Sequence, residues 1–143
     1  MTTPIDADGY QRIAIKEGTA PFLMGKVSDK ALTLIVKADI STIKATITNV
    51  TLGTTVLDQS TLTKTDVWFD TIQTLATVDE NNESVTYTYN FGWQTTSTWF
   101  QTTTTDAGCQ FKVEVWVTPV SGQPFEAGWW LVTAAKSIVP IPA

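Results

Sequence analysis

Two stretches of strict alternation constrain this chain more than anything else in it. Val85, Tyr87, Tyr89, Phe91 and Trp93 alternate with Ser84, Thr86, Thr88, Asn90, Gly92 and Gln94. Phe111, Val113, Val115 and Val117 alternate in the same way with Gln110, Lys112, Glu114, Trp116 and Thr118. A two-residue period places every apolar side chain on one face of an extended backbone, so each stretch predicts a strand with one face turned to a core. Threonine, roughly a fifth of the residues, concentrates in the polar phase, where a β-branched side chain suits extended backbone.

The remaining segments follow the same logic less cleanly. Phe22 to Val27 and Leu32 to Ala38 read as two core strands joined by a turn at Ser28-Asp29-Lys30. Ile43, Ala45 and Ile47 alternate, after which the apolar phase shifts by one to Val50 and Leu52. Such a shift predicts a β-bulge near Asn49 or a strand that changes sheets. Gly53-Thr54 turns the chain, Thr55 to Gln59 returns as a short strand, and another lies around Val67-Trp68-Phe69. Ile72, Leu75 and Ala76 have helical spacing that supports a single turn at most. Pro119 to Gly128 reads as a loop, and Trp129 to Ala135 as the returning strand of a terminal hairpin.

Seven to eight short strands predict an all-β fold, an Ig-like two-sheet sandwich, with a jelly roll as the alternative. A chain of 143 residues is the size of one domain. Residues 1–20 read as an extended N-terminal arm carrying one short strand at Arg12 to Lys16, residues 21–139 as the sandwich, and residues 140–143 as an exposed tail.

Composition excludes several function classes. A net charge of -5, with no clustered Lys or Arg, repels nucleic acid. Asp6 and Asp8 stand where a signal peptide has its basic region, and no apolar run approaches the ~18 residues of a membrane span. The expectation is a soluble protein made in the cytoplasm, with no signal peptide and no membrane partner. Histidine is absent, which removes the Ser/His/Asp and Cys/His nucleophile pairs and the commonest zinc sites. The single cysteine, Cys109, reads as a small buried hydrophobe.

Metal and carboxylate chemistry fare no better. Asp6-Ala7-Asp8-Gly9 with Glu17 fails as a calcium loop, because Tyr10 stands where the fifth-position oxygen belongs and the glycine comes two places early. Asp79 to Glu83 reads as a solvated loop tip. A glycosidase needs two carboxylates that face one another, and the clear strands offer Glu114 no such partner. The expectation is a protein that is not an enzyme and uses no cofactor or metal.

The tryptophans carry the candidate binding surface. Trp93 continues the aromatic phase of its strand and reads as core, whereas Trp116 occupies the polar phase between Glu114 and Thr118 and must face outward. Trp129 and Trp130 are adjacent on the partner strand, so one of them faces the same side as Trp116. An exposed aromatic pair suits a protein interface or a platform for a sugar ring. In the arm, Tyr10, Ile13 and Ile15 are too few to order the segment alone, so they form a second contact element that adds little to the domain's own stability.

Two stretches carry a resemblance. Asp6-Ala7-Asp8-Gly9-Tyr10-Gln11-Arg12-Ile13-Ala14-Ile15 resembles the opening segments of small tailed-phage structural proteins. Tyr89-Asn90-Phe91, then Phe111-Lys112-Val113-Glu114-Val115-Trp116-Val117 and Trp129-Trp130-Leu131-Val132, resemble the closing strands of β-sandwich modules in head and tail accessory proteins. Together they cover under a third of the chain. The resemblance implies a structural protein located in the virion, either a capsid decoration (cement) protein or a tail or baseplate accessory. Its partners would be other virion proteins and copies of itself, and no catalytic residues carry over. The alternative is a carbohydrate- or receptor-binding β-sandwich module that takes a glycan on its exposed Trp residues.

Overall fold

A computed structural model describes residues 11–29, 31–78, 81–101 and 108–135. Within them the alternating segments become eight strands: β1 (Gln11–Lys16), β2 (Phe22–Gly25), β3 (Ile40–Asn49), β4 (Thr54–Leu62), β5 (Trp68–Val78), β6 (Ser84–Gln94), β7 (Cys109–Pro119) and β8 (Phe125–Ala135). A five-stranded sheet runs β1-β8-β7-β3-β4, and a three-stranded sheet runs β2-β6-β5. All pairs are antiparallel except β1 with β8, where Ile13 sits opposite Val132 in a parallel ladder. This is an all-β, Ig-like sandwich: β8-β7-β3-β4 takes the order of the G-F-C-C′ sheet of variable-type domains, and β2-β6-β5 that of B-E-D.

Aromatic packing closes the two sheets on each other. The inward phases of β3 (Ile43, Ala45, Ile47) and β7 (Val113, Val115, Val117) belong to one buried cluster with Leu23, Phe91, Trp93 and Trp130. Phe91 of the small sheet lies 5.7 Å from the Trp130 ring of the large sheet and 5.9 Å from Trp68. Each of these side chains contributes on the order of 4–6 kcal/mol of burial energy before entropy is subtracted. Gly128 makes room for the cluster, because a Cβ built there would fall against the Trp130 ring. Cys109 is buried in the same cluster, as its solitary occurrence suggests.

Several local expectations need correction. Leu32 to Ala38 is not a strand. The Asp29 carboxylate accepts the backbone N–H groups of Ala31 and Thr33, each at 2.9 Å, offering the chain a turn in place of a ladder. Only one bridge, Ser28 with Leu34, and a 3-10 turn at Lys37–Asp39 remain. The bulge expected near Asn49 lies on the partner strand, where Val56 of β4 is the extra residue between the pairs Ile47–Leu57 and Thr48–Thr55, and not at Asn49 itself. β3 ends there, the Asn49 side-chain oxygen accepts the Leu52 N–H at 3.0 Å, and Val50 and Leu52 stand exposed on the turn.

The helical spacing around Ile72 belongs to β5, which continues to Val78. One helical turn, α1 (Lys64–Val67), precedes it. The spacing misleads because five steps along β5, Trp68 to Gln73, match two along β6, Phe91 to Tyr89. β8 begins at Phe125, so the preceding loop is shorter than expected. The segment read as an arm contributes β1 to the large sheet and buries Ile13 in the core, which removes the expectation that it adds little to stability. Residues 1–10 and the tail at 140–143 lie outside the described residues.

Candidate interaction surface

The outward face of the large sheet follows from strand parity. On β7 the outward residues are Lys112, Glu114, Trp116 and Thr118. β3 sets Thr48, Thr46 and Lys44 opposite the first three of them. On the other side β8 sets Leu131 against Lys112, Trp129 against Glu114 and Glu126 against Trp116. Trp116 is 44% exposed. Trp129 is half-buried, with the Lys112 ammonium 4.2 Å from its ring centroid, and the same ammonium pairs with Glu114 at 3.2 Å.

The structure thus brings Trp116 and Trp129 to one face in successive rows, and it removes two of the candidate residues from any surface. Trp130 lies opposite Val113, points inward and is 0% exposed. Ile13 is buried in the same core through its pairing with Val132. Ile15, on the same inward phase, is half-buried against that core. Tyr10 lies outside the described residues.

Two irregularities shape a groove beside Trp116. On β4, the pairs Ala45–Ser60 and Ile47–Leu57 leave one extra residue. Gln59 takes a left-handed φ of 45° there and donates its N–H to Thr46 Oγ1 at 3.1 Å. On β8, Ala127 is the extra residue between Gly128 and Glu126. Between these bulges lies a surface groove of about 490 Å³, lined chiefly by Lys44, Thr46, Gln59, Glu114, Trp116 and Thr118. One aromatic wall among amide, hydroxyl and charged groups suits a sugar ring or a polar peptide.

Glu126 joins this surface without a signal in the alternation pattern. Pro119, Gly122 and Pro124 before it mark a loop, although Phe125-Glu126-Ala127 contains no turn former. Its Oε1 is sealed from solvent without a hydrogen-bond partner among the described residues. Burial first, and then the charge of Glu114, raise its pKa from 4.5 to about 7, against a smaller opposing pull from Lys112. Glu114 therefore does have an acidic neighbour, contrary to expectation. Glu114 lines the groove, whereas Glu126 lines a separate cavity of about 950 Å³ bounded by Val27, Asp29, Asp39, Val120 and Phe125.

A second surface was read as core. The alternation from Val85 to Trp93 splits: Phe91 and Trp93 are buried, but Val85, Tyr87 and Tyr89 are only half-buried. β2 pairs only with Phe91–Gln94, so the rest of β6 has only β5 beside it and the two form a ribbon running past the edge of β2. Tyr89 packs over Gly92 beside Phe22 (5.5 Å) and Phe69 (5.8 Å), on the side of the sheet away from Phe91 and Trp93. Ile72, Leu75 and Val78 of β5 are 38%, 39% and 54% exposed.

Among the described residues no group of three or more acidic or cysteine side chains is placed to hold a metal ion, and no helix is long and apolar enough to cross a membrane. In comparisons with known proteins, the chain matches no family model, no curated protein and no solved structure.

Proposed function

We propose that this protein is a non-enzymatic structural protein of a virion, a capsid decoration protein or a tail or baseplate accessory, acting through protein–protein contacts. The observation that carries this reading is apolar surface left open on both sheets, Trp116 on one and Ile72, Leu75 and Val78 on the other. The resemblance of the opening segment and the closing strands to tailed-phage proteins supplies the setting. The test is to add purified protein to particles that lack it and to repeat the experiment with Trp116→Ala. The parent should bind, and the variant should bind ~30-fold more weakly, as expected when an interface tryptophan worth ~2 kcal/mol is lost. Failure of the parent to bind any particle would refute the reading.

The groove beside Trp116 favours one alternative, a carbohydrate- or receptor-binding module. There Gln59, Lys44, Glu114 and Thr46 would hydrogen-bond the hydroxyls of a ring stacked on Trp116. Retention on a glycan array that is lost in Trp116→Ala would support it, and equal retention of both proteins would eliminate it.

A further inference from the structure

A sandwich of two open sheets has four edge strands, and three of them here carry devices that discourage pairing with another chain. β1 is six residues long and bears Arg12 and Lys16. β2 is only four residues long. β4 is bulged at Gln59 and carries Asp58. The fourth edge, β5, is different. It runs for eleven residues, and from Thr71 to Val78 (Thr-Ile-Gln-Thr-Leu-Ala-Thr-Val) it contains no charge, no proline and no glycine. From Gln73 to Val78 it pairs regularly with β6 on one side, so its outward N–H and C=O groups form a ready ladder on the other.

We propose that this edge is the seam of a symmetric dimer, in which a second copy of the chain adds its own β5 antiparallel to it, with Leu75 at the two-fold axis. The arrangement of apolar residues selects a second copy over an unrelated strand. Ile72 and Val78 each stand three residues from Leu75. A two-fold axis through Leu75, normal to the sheet, keeps every side chain on its own face. It pairs Ile72 with Val78 of the partner subunit, Leu75 with the partner subunit's Leu75, and Gln73 with the partner subunit's Thr77. The three exposed large hydrophobics of β5 are thereby matched with one another, and the span from Thr71 to Val78 brings no charge to the seam although each chain carries a net charge of -5. Leu75 also faces Tyr87 across its own hairpin, so the seam would carry a continuous apolar row of Tyr87, Leu75 and their partner-subunit counterparts. Three strands from each copy would join as one six-stranded sheet.

This deepens the assembly reading but is tested on purified protein alone, so a dimer that ignored every particle would refute the virion role and leave the seam intact. Sedimentation velocity of the full chain over a concentration series should show a dimer. Leu75→Lys sets two ammonium groups opposite each other and should raise the dissociation constant by on the order of a hundredfold, with Leu75→Glu behaving alike. An equimolar mixture of the two variants should recover dimers by placing opposite charges across the axis. If Leu75→Lys does not melt cooperatively, Thr74→Lys, exposed on the other face of the seam, sets the two ammonium groups diagonally across the same axis and should also weaken the dimer, by less. A parent chain that stays monomeric overturns the proposal and leaves the edge to a strand of another protein. Leu75 variants that dimerise like the parent, or folded Lys and Glu variants whose mixture stays monomeric, overturn it as well.

Discussion

Replacing Asn90 with alanine should destabilise the fold by about 3 kcal/mol, although Asn90 sits in the polar phase of its strand. It is fully buried, and its side chain pins the irregular segment that replaced the expected second strand. Asn90 Oδ1 accepts the Val27 N–H at 2.7 Å, while Nδ2 donates to Val27 O at 2.9 Å and to Ile35 O at 3.3 Å. Two of these partners keep another bond when the amide is gone. Val27 O also accepts the Ile35 N–H at 3.3 Å, and Ile35 O also accepts Trp68 Nε1 at 2.8 Å. The Val27 N–H keeps none among the described residues. Orphaning it costs ~1–3 kcal/mol, and two weakened acceptors add ~0.5–1 kcal/mol each.

Asn90→Asp sharpens the test. The carboxylate can still accept from Val27 N, but it turns negative charge toward two carbonyl oxygens, so its folded pKa must rise above the unfolded value of about 4. An acid whose folded pKa is raised loses stability as pH climbs through that pKa. Asn90→Asp should therefore lie closest to the parent at about pH 4 and furthest from it at about pH 7. Urea unfolding of parent and both variants at the two pH values reads this directly. A loss under ~0.5 kcal/mol in Asn90→Ala, or a gap between Asn90→Asp and parent that does not change with pH, would refute the argument.

Other outcomes follow from the same geometry. Trp130→Ala should cost ~3–5 kcal/mol in chemical denaturation, whereas Trp116→Ala, on the open face, should cost well under that. Gly128→Ala drives a methyl group against the Trp130 ring and should cost ~1–3 kcal/mol, visible as a lower Tm. Glu126 has a folded pKa raised from 4.5 to about 7, so its contribution to stability is most favourable below pH 4.5 and worsens as pH rises toward 7. Glu126→Gln should flatten that part of the stability profile and make the protein more stable than the parent at the alkaline end.

What the sequence disclosed follows from which elements repeat a simple period. β3, β6 and β7 alternate cleanly, and with them came the sandwich, the outward Trp116 and the buried Trp93. Parity narrowed the Trp129-Trp130 pair to one outward residue without saying which, because that depends on a register that the intervening bulge at Ala127 resets. Glu126 was hidden by the same bulge and by the turn formers before it. Tyr89 was illegible because the alternation of β6 breaks at the buried Asn90 and turns Tyr89 to the side away from Phe91 and Trp93, whereas Val85 and Tyr87 were illegible for a different reason. Alternation says that two faces exist, but the length of β6 relative to β2 decides how much of either is covered, and that is a property of the other strand.

The parallel pairing of β1 with β8 also orders events during synthesis. β1 leaves the ribosome well before β8, which is its only ladder partner among the described residues. At translation rates of about 5–20 residues per second, the wait between them is on the order of ten seconds. The β5–β6 hairpin, whose contacts are local, can form within microseconds of its own emergence. From the completion of β6 at Gln94 until β8 is made, nascent chains therefore hold a finished ribbon and an unclosed main sheet, with Ile13 uncovered. Chains that terminate before Trp130 never pass that stage, and clearing them falls to chaperones and proteases.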